Sequence, residues 1–325
     1  MRIFLARCLS ISALFLFSAV MICAQTGPGT GGIRLRDALD YDGDNKADFA
    51  VFRQSNNVWY INMSGGGFTA TNFGLVNEDF MTPGDYDGDG KGDISVWRDT
   101  TGTWYRLNSS DGTFHAVNWG LTDDEPVARD YDGDGKTDIA VVRRTGGLMY
   151  WYIQHTVDTG YDAVQWGLQT DYTAPGDYDG DGKFDVCVQR QGATPTSQAT
   201  FYVRKSSDGG VIAQPWGLSN DFVVPGDYDG DGKTDFAVFR DSPPSPNITW
   251  YILKSSNGGV IAQVFGLAGE DLNVQNDYDG DGKTDIAVWR NTDGNFYYNR
   301  SSDSAFASIH WGSPNDYPVA SYDTH

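Results

Sequence analysis

The chain has 325 residues, of which 44 are acidic and 23 basic, giving a formal net charge of −21 at pH 7. An acidic excess of that size argues against nucleic acid as a partner, because phosphates would be repelled and not neutralised. Three cysteines are too few for a disulfide framework, and no segment is apolar over the roughly 20 residues that a membrane span needs.

The first residues read as a secretory signal. Arg2 and Arg7 form a basic start, Ile11–Ile22 an apolar centre, and Ala24 ends a small-residue cleavage site. Residues 1–24 are assigned to this signal, 25–33 to a flexible Gly-rich lead-in, and 34–325 to one repeat domain. The mature protein is therefore expected outside the cytoplasm, secreted or periplasmic. Cys8 and Cys23 leave with the signal, so Cys187 alone remains. It fills the slot held by Ala50, Ala140, Ala237 and Ala287 in other copies of the repeat, a small buried strand position.

From residue 40 onward one nine-residue pattern returns six times: Asp-x-Asp-Gly-Asp-(Gly/Asn)-Lys-x-Asp. Its aspartates are Asp40, Asp42, Asp44 and Asp48; Asp85, Asp87, Asp89 and Asp93; Asp130, Asp132, Asp134 and Asp138; Asp177, Asp179, Asp181 and Asp185; Asp227, Asp229, Asp231 and Asp235; and Asp277, Asp279, Asp281 and Asp285. Carboxylates at alternate positions of a tight loop offer an oxygen-only cage to a hard divalent cation, and Ca²⁺ takes 6–8 such oxygens at flexible angles. All 24 are expected as ligands, with about six ions, one per repeat. The backbone carbonyl at position 7, as at Lys91, would add a further oxygen. Position 6 must turn the loop through a left-handed backbone, which Gly90 permits and Asn45 tolerates. Polar Asp-Gly strings also make plain turns, but six intact copies are hard to explain that way. An EF-hand is excluded, since position 12 is valine in each copy (Val51, Val96, Val141, Val188, Val238, Val288) where an EF-hand has glutamate.

Each loop leads into a short run of β-branched and aromatic residues ending in arginine: Phe49–Arg53, Ile94–Arg98, Ile139–Arg143, Val186–Arg190, Phe236–Arg240, Ile286–Arg290. These read as strands. Next comes an aromatic pair such as Trp59-Tyr60 or Trp250-Tyr251, and then a segment ending in aromatic-Gly such as Phe73-Gly74 or Trp119-Gly120. Turn residues separate them, for example Ser109–Gly112. With the strand that leads into each loop, such as Phe222 to Asp227, one unit holds four strands in about 45 residues, the pattern of a β-propeller blade. The expected fold is all-β.

The loop, the strand after it and the aromatic-Gly resemble FG-GAP repeats, also called VCBS-type repeats, over residues 34–323. The resemblance implies a calcium-bearing propeller like that of integrin α-subunits, with the ions in the hairpin between the first two strands of a blade. Six units are complete, and Tyr317–Asp323 repeats the first strand alone. Six blades with a supplementary closing strand is the preferred count, and an incomplete seven-bladed ring the alternative. Arg34–Leu39 is expected to supply the strand before Asp40.

The repeated arginines read as structural, through inter-blade ion pairs or stacking on a neighbouring tryptophan. Most tryptophans should fill the wedges between blades. The three glutamates, Glu78, Glu125 and Glu270, and the four histidines, His115, His155, His310 and His325, show no catalytic spacing, so no enzymatic activity is expected. The resulting expectation is an exported monomeric propeller that binds an extracellular protein in adhesion or a related interaction. The alternatives are a lectin that binds glycan and, behind it, a polysaccharide-active enzyme.

Overall fold

A computed structural model describes residues 38–156, 160–241 and 245–320. The expected signal and lead-in, Asp323 and His325 lie outside the described residues. The described chain forms six four-stranded antiparallel sheets, the blades of a six-bladed β-propeller. We name the strands of each blade a to d from the centre outward. In the second blade they are Asp79–Met81, Ile94–Arg98, Thr103–Leu107 and Phe114–Asn118.

Burial along the strands follows from their place in the blade. Strand b is sealed on both faces by its own blade and its neighbours, and Ile94, Ser95, Val96 and Trp97 are all buried. Strand c alternates, as a half-buried strand should. In Val58–Asn62, Trp59 and Ile61 point inward. Strand d is the outer edge, and only every second residue is partly covered. The aromatic-Gly pair lies within strand d in the third to fifth blades and directly after it in the others.

Tryptophans join one blade to the next, as expected. Trp59, Trp151 and Trp250 of strand c are fully buried, each worth roughly 1.5–3 kcal/mol or more of apolar burial. The tryptophan before the glycine donates its indole N–H across the junction: Trp119 to the Tyr152 carbonyl at 3.1 Å, Trp166 to Tyr202 at 2.9 Å, Trp216 to Tyr251 at 3.1 Å. The glycine after it is required by space and backbone together. Gly120 has φ +109°, and a Cβ there would lie 3.1 Å from Val141 of the next blade.

The first blade is completed by both ends of the chain. Asp316–Pro318 pairs with Phe49–Arg53 as its strand a, with Phe52 opposite Tyr317. This settles the count at six blades and corrects one expectation. Ala38 and Leu39 form no strand. The Leu39 carbonyl accepts a hydrogen bond from Asp48 N–H, while Val319 N–H donates to the Ala50 carbonyl. The C-terminal strand thus begins the path into the first loop and the N-terminal segment finishes it. Trp311 of the last blade donates to the Tyr60 carbonyl of the first at 3.0 Å, so the closing junction matches the others.

Candidate metal centres

Each aspartate loop is the hairpin between strands a and b. In the second blade, Asp85 accepts N–H bonds from Gly88 at 2.6 Å and Gly90 at 2.9 Å. Asp93 accepts from Tyr86 at 2.9 Å and Ser109 at 2.7 Å. These bonds fold the loop over its own carboxylates. Asn45 does what the glycines do elsewhere: its φ is +67° and its N–H donates to Asp40 at 2.8 Å.

The first, third and ninth positions converge. Oxygens of Asp40, Asp42 and Asp48, of Asp85, Asp87 and Asp93, and of Asp177, Asp179 and Asp185 lie within 4.8 Å of one another. The ninth-position aspartates Asp48, Asp93, Asp138, Asp185, Asp235 and Asp285 are sealed from solvent. The fifth-position aspartates, such as Asp89, stand at the exposed rim, where Asp89 accepts the Lys91 N–H at 2.9 Å.

Electrostatically these loops are unfinished. Burial pushes Asp48, Asp85, Asp130, Asp235 and Asp285 up to about 7, and Asp40, Asp138, Asp177 and Asp185 up to about 6. Desolvation is the main cause in every case, and neighbouring carboxylates add to it. One oxygen each of Asp179 and Asp229 is buried without a hydrogen-bond partner. A cluster of desolvated carboxylates with oxygens left over fits a hard divalent cation, which would reverse the penalty.

Two neighbours of the loops were not expected from the sequence. The first is the turn between strands c and d. Ser109 donates its hydroxyl to Asp89 at 3.0 Å and Ser110 to Asp87 at 2.6 Å. Ser255 and Ser256, and Ser301 and Ser302, do the same in their blades. The repeated Ser-Ser of these turns was the available signal. The second is the preceding loop. Thr137 N–H donates to the Asp85 carbonyl at 2.6 Å, Thr234 to Asp177 at 2.6 Å and Ala47 to Asp277 at 2.8 Å. The position-7 lysine leans across as well, with Lys136 Nζ 2.8 Å from the Asp87 carbonyl. The six loops form a closed ring on one face of the propeller.

The opposite end of each blade carries a different repeated site. Arg98 Nε and Nη2 donate to the two oxygens of Asp79 at 2.7 and 2.9 Å, and Leu75 N–H adds a third bond at 2.8 Å. The guanidinium lies 4.7 Å from the Tyr105 ring centre. Arg53, Arg143, Arg190, Arg240 and Arg290 hold Asp316, Asp124, Asp171, Asp221 and Asp271 in the same way and stack on Tyr60, Tyr152, Tyr202, Tyr251 and Tyr297. The arginines are structural, but the expected partners were wrong. The pair joins strands a and b of one blade, and the stacking partner is tyrosine. The missed signal is an aspartate 19 residues before five of these arginines.

At the centre, strands a surround a cavity of about 470 Å³ lined by Met81, Glu125, Arg144, Tyr172, Thr173 and Val223 among others. Glu125 pairs with Arg144 at 2.6 Å and accepts the Thr173 hydroxyl. Arg144 also donates to the Gln169 and Asp171 carbonyls, so this polar group ties the third blade to the fourth. Cys187 is wholly buried in strand b, and burial pushes its thiol well up.

Among curated proteins no sequence matches the chain. Solved structures are similar to the chain at low identity. AofleA from Arthrobotrys oligospora is 11% identical, with a TM-score of 0.51, over 83% of this chain and 88% of its own. TolB from Acinetobacter baumannii is 14% identical, with a TM-score of 0.49, over 84% of this chain. The chain spans 63% of the TolB length. Residues 130–188, which run from the third loop into the fourth blade, match the FG-GAP-like repeat model. The chain is a six-bladed β-propeller that carries an FG-GAP-like repeat over residues 130–188.

Proposed function

We propose that this is an exported, calcium-stabilised propeller that works as an extracellular protein-interaction module. The observation that carries the reading is the closed ring of six acidic loops on one face. In each loop the aspartates at positions 1, 3, 5 and 9 would hold the ion, and a bound Ca²⁺ would supply the positive charge that the buried carboxylates lack. The ring then becomes a rigid rim of short polar turns, a surface suited to a protein partner. The protein acts as a single chain and carries out no covalent chemistry. With calcium present, it is expected to bind cell-surface or matrix preparations. Protease treatment of that surface should abolish binding, and periodate oxidation of its sugars should leave it intact. The reverse pattern defeats the reading.

A lectin is the second reading, and the blade junctions favour it. On the outer edge, exposed Phe68 packs on Trp311 and exposed Tyr161 on Trp119, giving aromatic faces on which sugar rings could stack. Saturable binding on a glycan array, lost in Tyr161→Ala, would establish it. Uniform silence on the array removes it.

A further inference from the structure

The third loop differs from the others in three linked ways, the loss of the second turn hydroxyl being shared with the first loop, which has Gly65 there. The residue before its turn hydroxyl is His155, where the other blades have Met63, Asn108, Lys205, Lys254 and Arg300. The equivalence is fixed by hydrogen bonds: Thr156 N–H donates to Asp138 at 2.9 Å, as Ser109 does to Asp93. The residue after Thr156 is Val157, where the others have Gly65, Ser110, Ser207, Ser256 and Ser302. In its own blade each of those four serines donates its hydroxyl to the third-position aspartate. Thr156 Oγ1 turns to Asp138, at 3.2 Å, whereas the corresponding serines turn to the fifth-position aspartate. The third loop has thus exchanged a serine for an imidazole.

His155 points into the loop. Its Nδ1 lies 3.0 Å from Asp132 and 3.9 Å from Asp138, and the side chain is only 16% exposed. Nδ1 is buried and makes no hydrogen bond, despite the short distance to Asp132. Ligand atoms of Asp132, Asp138 and His155 lie within 4.8 Å of one another. Ligands at about 2.0–2.2 Å in a tetrahedral site lie about 3.3–3.6 Å apart, and the two measured separations bracket that figure. The other ring nitrogen, Nε2, is 3.4 Å from Asp162 on strand d. A carboxylate behind the second nitrogen is the arrangement that orients metal-bound histidines.

We propose that the third loop is a mixed nitrogen and oxygen site, held by Asp132, Asp138 and His155, that selects a first-row transition metal such as Zn²⁺ over Ca²⁺. Imidazole suits zinc and its neighbours, while calcium takes oxygen donors. No thiolate competes, because the one cysteine in the described residues is buried in strand b. The proposal rests on reading the loops as cation cages, and the test separates the two.

The full mature chain, saturated with calcium, is dialysed against Zn²⁺ with calcium in large excess, and both metals are counted. The native protein should keep about one zinc per chain with calcium in the remaining loops. His155→Asn should lose the zinc and keep its calcium. Zinc displaced by calcium, or zinc retained equally by the variant, overturns the proposal. Calcium absent from both proteins defeats the cage reading itself. The native chain loaded with Co²⁺ gives a second readout that needs no variant. A paramagnetically shifted imidazole N–H resonance supports the assignment, and its absence overturns it.

Discussion

The two ends of a blade bury the same side chain in opposite ways. At one end the Asp79 carboxylate is 2% exposed and receives two guanidinium bonds and one backbone N–H. At the other end Asp85 and Asp93 are buried as deeply, but backbone and hydroxyl donors are all they receive, and other carboxylates surround them. Burial therefore does not decide whether an aspartate stabilises the fold. What decides is whether a positive charge is built in. The clamp end carries its own in arginine, whereas the buried Asp85 and Asp93 have no guanidinium partner among the described residues.

Metal removal is the strongest way to test that contrast. A ligand that binds only the native state at about 100 times its Kd contributes about 2.7 kcal/mol per site, and several loops act together. In excess EDTA the Tm should fall by about 20 °C or more, with the clamps unaltered. A thermal scan that is the same with EDTA and with calcium would break the comparison at its base.

A pH series on the chelated protein comes next in size. The loop carboxylates are raised in the folded state to about 6–7 from about 3.9 when unfolded. A raised folded value means that stability is fully present below the unfolded value and is lost as pH rises through the folded one. The chelated protein should therefore melt higher near pH 4.5 than near pH 7.5. With calcium bound the trend should invert, because protons then compete with the ion. A chelated protein that gains stability between pH 4.5 and 7.5 would contradict the assignment of unpaired charge to the loops.

The clamp sharpens the comparison from the other side. Breaking a fully buried pair costs about 3–5 kcal/mol, and the Arg98 guanidinium keeps a fifth of its surface in water, so Asp79→Ala should cost about 2–3 kcal/mol. The loss, measured by denaturant unfolding, should be the same with calcium and with EDTA. A cost that disappears on chelation would mean that the two ends are coupled and not independent.

Much of the fold was readable from local pattern. Five of the six strands after the loops, from Phe49–Arg53 to Ile286–Arg290, have the expected boundaries, and the third runs on from Ile139 to Thr145, because alternating bulk and a nearby turn act within a few residues. Asn45 in a left-handed backbone was readable for the same reason. The arginines were seen and their partners were not. Asp79 stands 19 residues before Arg98, across a hairpin, so only the recurrence of that spacing from copy to copy marks it. His155 read as a scattered histidine, since its meaning depends on Asp132 and Asp138, which lie on another hairpin of the same blade.

By itself the sequence determined the blade, its aspartate loop and the number of units, because each is encoded within one copy of about 45 residues. The tertiary structure decided how the ring closes. Asp316–Pro318 completes the first blade, Arg53 holds Asp316 from 263 residues away, and Trp311 reaches the Tyr60 carbonyl. A repeat specifies its contact with the next copy, whichever copy that is. Only the rotation accumulated over six blades brings the last one back to the first, and only there do the two chain ends share a single strand position.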